Sequence, residues 1–261
     1  MLLATWNVNS LNARLPRVLE FLDTHRPDVL CLQETKVSSD SFPHADLATA
    51  GYSAADHSAG RWAGVAILAP VERPLTHVKL GLEAEPRPEE ARWIEATVTA
   101  GTNGETLRAV SVYVPNGRAL DHPAFHDKLM FLDAMCARAS ALAGGPLLIA
   151  GDVNIAPADI DVYDPAAFAG STHTSTAERS RLEAILARGL VDAFRHLEPG
   201  AAQYTWWDYR AGSFHKNLGL RIDLGLLSPQ LAQRCQRCGI DRSFRKGPKP
   251  SDHAPLLFEL A

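Results

Sequence analysis

Short apolar runs rich in β-branched residues alternate along the chain with longer stretches whose apolar positions recur every three or four residues. The short runs predict strands at Leu2–Trp6, Asp28–Leu32, Gly64–Leu68, Trp93–Thr99, Leu107–Val114, Leu147–Ala150, Leu220–Leu227 and Pro255–Leu260. The longer stretches predict helices. Leu15, Val18, Leu19 and Leu22 share one face of Leu11–Arg26, and His122–Leu142 and Thr176–Arg188 repeat the pattern. Ser175 stands where a side chain can cap the third helix, with Glu178 in its first turn. Two neighbouring runs, Trp93–Thr99 and Leu107–Val114, are joined through Gly101-Thr102-Asn103-Gly104. That arrangement predicts a hairpin, and hence a mixed sheet in place of uniform βαβ winding. The proline- and charge-rich stretch Arg73–Glu90 reads as a surface loop. No repeat or break in composition divides the chain, so residues 1–261 are expected to form one layered α/β domain.

Composition adds bounds rather than detail. A chain of 261 residues with 46% hydrophobic and 21% charged residues has the make-up of a globular protein with a dry core. Its four cysteines are too scattered for a disulfide framework, which points to a reducing, cytoplasmic setting. Cys235-Gln-Arg-Cys238 lacks the second pair that a zinc site needs. No apolar run approaches the roughly 18 residues of a membrane helix, and Met1–Asn7 lacks the basic lead-in of a signal peptide. The formal charge of -4 argues at first sight against a polyanionic partner.

The chemistry lies at the strand ends. Asn7 follows Leu-Leu-Ala-Thr-Trp, Glu34 follows Val-Leu-Cys-Leu-Gln, and Tyr113 ends Val-Ser-Val. Asp152 and Asn154 follow Leu-Leu-Ile-Ala-Gly, Asp223 lies within Leu-Arg-Ile-Asp-Leu, and Asp252-His253 precede Ala-Pro-Leu-Leu-Phe. One such residue is an ordinary turn former. Six strands that each deliver one to a shared sheet edge are another matter, because buried strands hold their terminal side chains rigidly. Four carboxylates, two Asn, a Tyr and a His are the inventory of a divalent-metal phosphoryl site, since hard oxygen ligands suit Mg²⁺.

The segments Thr5-Trp6-Asn7-Val8-Asn9, Leu32-Gln33-Glu34-Thr35-Lys36, Tyr113-Val114-Pro115-Asn116-Gly117, Gly151-Asp152-Val153-Asn154, Gly219-Leu220-Arg221-Ile222-Asp223 and Ser251-Asp252-His253 together resemble the exodeoxyribonuclease III and abasic-site endonuclease family. That family sits within the endonuclease/exonuclease/phosphatase superfamily. The resemblance implies a four-layer α/β sandwich, two mixed sheets packed face to face with helices outside. It implies a Mg²⁺ site, with Mn²⁺ as a possible substitute, formed by Glu34 with Asn7, Asp152, Asn154, Asp252 and His253. Asp152 would orient and deprotonate the attacking water, held by Asn154. His253, oriented by Asp223, and Tyr113 would contact the scissile phosphate, and either Asp152 or His253 could be the base.

The Trp206–Asp223 segment would supply recognition. An apolar pocket of Trp206, Phe214, Leu218 and Leu220 would take a sugar lacking its base, while Arg210, Lys216 and Arg221 meet phosphates. Trp207 reads equally well as a core residue. The implied activity is hydrolysis at abasic sites and 3′ ends of double-stranded DNA, by a monomer with no membrane partner. The superfamily's other branch, acting on inositol phosphates or sphingolipids, is the alternative, and the Trp206–Asp223 segment counts against it.

The charge balance then reads differently. Residues 205–250 hold nine Lys/Arg against Asp208, Asp223 and Asp241, or +6, which leaves -10 for the rest. A polyanion responds to the local field rather than to the sum.

Overall fold

The computed structural model describes residues 1–100 and 104–261. In chain order the main elements are β1 (Leu2–Asn7), α1 (Leu11–His25), β2 (Val29–Gln33), α2 (His44–Thr49), β3 (Tyr52–His57), β4 (Val65–Pro70), β5 (Leu75–Leu80), β6 (Trp93–Ala100) and β7 (Glu105–Tyr113). The second half continues with α3 (Pro123–Leu142), β8 (Leu147–Asp152), α4 (Thr176–Leu186), β9 (Val191–Asp192), α5 (Ala193–Leu197), β10 (Asp223–Leu227), α6 (Pro229–Ala232), β11 (Cys235–Ile240) and β12 (Leu256–Leu260).

The strands form two six-stranded sheets, ordered β11-β12-β1-β2-β4-β3 and β5-β6-β7-β8-β10-β9. Both are mixed. The pairs β1–β2 and β7–β8 are parallel, each bridged by a helical crossover (α1 and α3), and the remaining pairs are antiparallel. Between the sheets, Leu3, Val29, Cys31 and Ile67 of one meet Ile94, Ala96, Ala109, Leu148 and Ala150 of the other. On the outer faces, Ala4, Trp6 and Leu30 receive Val18, Phe21 and Leu22 of α1. Val110, Val112 and Ile149 receive Phe131, Leu132 and Met135 of α3 and Leu182 and Ile185 of α4. Each central strand therefore buries both faces, which is why its sequence is a continuous apolar run. The four-layer sandwich is the one implied by the sequence.

The hairpin joins β6 to β7 with Ala100 opposite Glu105, and its residues 101–103 lie outside the described residues. Ser175 caps α4 through its side chain and Glu178 completes a capping box. The departures from expectation concern edges. Residues 75–80 of the expected surface loop form β5, and β3, β9 and β11 have no counterpart among the predicted strands. All four lie at the edges of their sheets. They gain backbone hydrogen bonds without needing an apolar period. The strand expected over Leu220–Leu227 begins at Asp223, while Leu220 bridges Val162 and Trp206 instead. Cys235 and Cys238 are free thiols on edge strand β11.

Candidate active site

Register brings the polar residues to one edge. Parallel β1 and β2 end together, with Asn7 opposite Gln33 and Glu34 next along. In the other sheet Tyr113 is paired with Asp152, and antiparallel β10 begins with Asp223 opposite that same Asp152. His253 enters just before β12, which runs antiparallel to β1. Gly151 is required by close approach, since a Cβ there would sit 1.9 Å from the Val112 carbonyl oxygen. Glu34, Lys36, Asn9 and Asn154 all adopt positive φ, between 45° and 52°, so strained backbone clusters at this rim.

Three groups lie close enough to share one cation: ligand atoms of Glu34, Asp152 and His253 fall within 4.8 Å of one another. Asp152 is buried. Its Oδ1 accepts from the Asn154 backbone N–H (2.9 Å) and its Oδ2 from the Asn7 side chain (2.9 Å). Burial, then the charges of Asp223 and Glu34, push the Asp152 carboxyl up, while His253 pulls it down. His253 Nδ1 lies 2.8 Å from Asp223 Oδ2 and its Nε2 3.8 Å from Asp152 Oδ2. Burial opposes charge on that imidazole, but the neighbouring carboxylates, Asp223 foremost, raise its pKa. The Tyr113 hydroxyl is raised by burial and by Glu34, so it remains a donor, with Arg92 stacked 4.7 Å over its ring. Four carboxylates thus meet two basic groups, His253 and Lys36, the latter 2.6 Å from Glu34. One oxygen of Asp223 is buried without a partner. An acidic excess of hard oxygen donors fits a divalent metal.

Residues 4–253 match the endonuclease/exonuclease/phosphatase family. The chain belongs to that family. Exodeoxyribonuclease III of Haemophilus influenzae is 32% identical over 271 residues, covering 98% of both chains. A 3′ phosphatase of Neisseria, solved with a product DNA hairpin, superposes with a TM-score of 0.94 at 40% identity, covering 100% of this chain and 99% of its own. An AP endonuclease of Archaeoglobus fulgidus gives 0.92 at 35% identity, covering 100% and 99%. With full-length relatives of this kind, this family member is a hydrolytic DNA-repair nuclease, and its acidic cluster is the candidate metal centre.

Within the family site, several expected roles change. The Asn7 amide donates to both Glu34 (2.8 Å) and Asp152, and its oxygen accepts from the Asn9 N–H, so it orients the two carboxylates. Asn154 spends its amide on the Val114 carbonyl, its side-chain oxygen accepts from Asn116, and it likewise acts through hydrogen bonds. Asp252 accepts one bond on each oxygen, from Asn9 (2.9 Å) and from the Trp206 indole (3.0 Å), and lies outside the three residues whose ligand atoms fall within 4.8 Å of one another.

The recognition segment departs further. Arg221 is 0% exposed and gripped by Asp161 and Asp192, so it reaches no phosphate. Leu220 is buried behind Trp206 with Val162 and Ile222, whereas Phe214 packs edge-on to Trp207 in a separate cluster between Arg242 and Arg245. The expected single apolar pocket is therefore not assembled, and Trp207 is core. Arg210, its side chain 87% exposed and paired with Asp208, and Lys216 remain available at the surface.

Sequence reasoning missed Asn9 and Lys36, which hydrogen-bond each other at 2.6 Å. Both stand inside the quoted motifs, and that adjacency was the available signal. His173, in the turn before α4, brings its Nδ1 to 2.6 Å from the Asn154 carbonyl.

Proposed function

We propose that this nuclease hydrolyses phosphodiesters of double-stranded DNA at abasic sites and 3′ ends, with Mg²⁺ as its metal (Mn²⁺ able to replace it), as a cytoplasmic monomer. The observation that carries the reading is the convergence of Glu34, Asp152 and the Asp223–His253 pair at one strand-end edge. Glu34 and Asp152 would hold the metal, which when bound supplies positive charge to the phosphoryl oxygens. Asp152 orients the attacking water and accepts its proton. His253, whose charged form the Asp223 carboxylate favours, donates to the phosphate. Tyr113 adds a second neutral donor.

Two features support a DNA backbone as the substrate. A groove of about 330 Å³ lined by Arg92, Tyr113, Asn116, Arg118 and His122 opens beside the site. Trp62, 72% exposed, precedes Ala63, whose carbonyl accepts from the Lys36 N–H close to Glu34, and is an exposed aromatic on which a base can stack. The test is incubation with a duplex carrying one abasic-site analogue, with Mg²⁺ and with EDTA. The expected result is a metal-dependent nick, reduced about 10²–10⁴-fold in Asp152→Asn with binding retained. No nick, or turnover of inositol phosphates in its place, overturns the reading.

A further inference from the structure

Beneath the active-site loops lies a fully buried ion pair that the chemistry above does not use. Lys128 of α3 is 0% exposed, and its ammonium is paired with Glu178, itself buried in the first turn of α4. The same ammonium donates to the Asn154 carbonyl (2.7 Å), the Asn116 carbonyl (3.2 Å) and the Thr172 hydroxyl (3.3 Å). Glu178 in turn accepts from the Thr172 hydroxyl (2.9 Å), the His173 N–H (2.9 Å) and the Ser175 hydroxyl (2.6 Å). One point charge thus ties together the loop after β7, the loop after β8 and the cap of α4.

His173 repeats the connection. Its Nδ1–H donates to the Asn154 carbonyl, which leaves Nε2 to accept from the Asn116 amide at 3.4 Å. Packing closes the arrangement: a Cβ at Gly117 would lie 3.1 Å from Lys128 Cδ and 3.2 Å from the Thr172 hydroxyl, so the loop turns directly over the lysine stem.

Asn154 is the residue so held, at φ 52°, and its N–H is the bond that fixes Asp152 Oδ1. A non-glycine residue keeps such a conformation only where its surroundings impose it. We propose that Lys128, anchored by Glu178, is a positioning residue for hydrolysis. It clamps the Asn154 carbonyl so that the opposite side of the same turn presents Asp152 to the water and Asn116 to the groove. The ammonium acts from below and touches no reacting atom. This inference rests on the proposed hydrolysis, in which Asp152 is the base.

A buried charge left alone destabilises a fold, so the informative variant removes both charges. Steady-state cleavage of the abasic-analogue duplex is compared for wild type, Lys128→Met and Lys128→Met/Glu178→Gln, at a temperature well below each melting point. The double variant is expected to regain most of the stability lost in the single one. It nevertheless keeps a kcat 10–100-fold below wild type, with KM within twofold. A kcat within threefold of wild type in the double variant, or a rise in KM with kcat intact, overturns the proposal. If Lys128→Met does not fold, the double variant alone decides. A wild type that leaves the duplex intact refutes the proposed hydrolysis itself, which is a separate result.

Discussion

Arg221 offers the sharpest test of the structural account, because sequence and structure assign it opposite roles. Its guanidinium is fully buried. Nε donates to Asp161 at 2.6 Å, and its terminal nitrogens reach Asp192 at 3.1 and 2.8 Å. Arg195 also holds Asp161, at 2.6 Å, whereas Asp192 has no second cation among the salt bridges of the described residues. Arg221→Met keeps an unbranched apolar side chain and removes the guanidinium, which lies 5.2 Å over the Phe194 ring. Asp192 is then left without its partner, and breaking a buried pair in this way costs about 3–5 kcal/mol. For a chain of this size that is about 6–20 °C in melting temperature. Replacing Asp192 by Asn in the same chain removes the orphaned charge and should recover a large part of the loss, a coupling that a double-mutant cycle in urea measures. The salt dependence of DNA binding at 25 °C is expected to stay unchanged. An arginine that neutralised one phosphate would, once removed, lower the slope of log K against log salt by about 0.9. A variant that stays within about 1 kcal/mol of wild type yet shows that drop in slope would refute the buried-clamp assignment.

Three further outcomes follow from the same geometry. Asp223→Asn takes away the carboxylate that does most to raise the His253 pKa, so the alkaline limb of the kcat–pH profile should move to lower pH; an unmoved limb separates His253 from the rate. The burial of His173, with the Lys128 charge beside it, lowers its pKa to about 4. Because the folded value is depressed, it contributes stability in full above pH 6.5 that is lost as the pH falls through 4, at most about 3 kcal/mol. Urea midpoints between pH 7 and 4 should fall less steeply in His173→Gln, and equal slopes would contradict this. Gly151→Ala would force a methyl against the Val112 carbonyl and is expected to destabilise by at least about 3 kcal/mol, read by thermal melting.

The central strands and the acidic edge were legible in the chain because both rest on one physical constraint. A strand buried on both faces must be apolar throughout, and the first polar side chain past its end is where the sheet stops and chemistry can begin. Asn7, Glu34, Asp152 and His253 announce themselves in that way, whereas Tyr113 and Asp223 stood within expected strands, and register brings Asp152 between those two. The polar edge strand β3, Tyr52–His57, carries no such pattern, since pairing of its backbone with β4 is enough to order it.

Charged side chains were legible only as charges, and the fold chose their partners. Asp161 meets Arg221 across 60 residues and Glu178 meets Lys128 across 50, separations that no local spacing encodes. A buried cation must find a carboxylate or be expelled, so tertiary packing turned Arg221 from an expected phosphate contact into an internal clamp. The amides of Asn7 and Asn154 were settled likewise, by the backbone and carboxylate groups that folding set around them. The sequence by itself determined which groups reach the strand-end edge. Only the tertiary structure decided which of them face a cation or a water and which hold the others still.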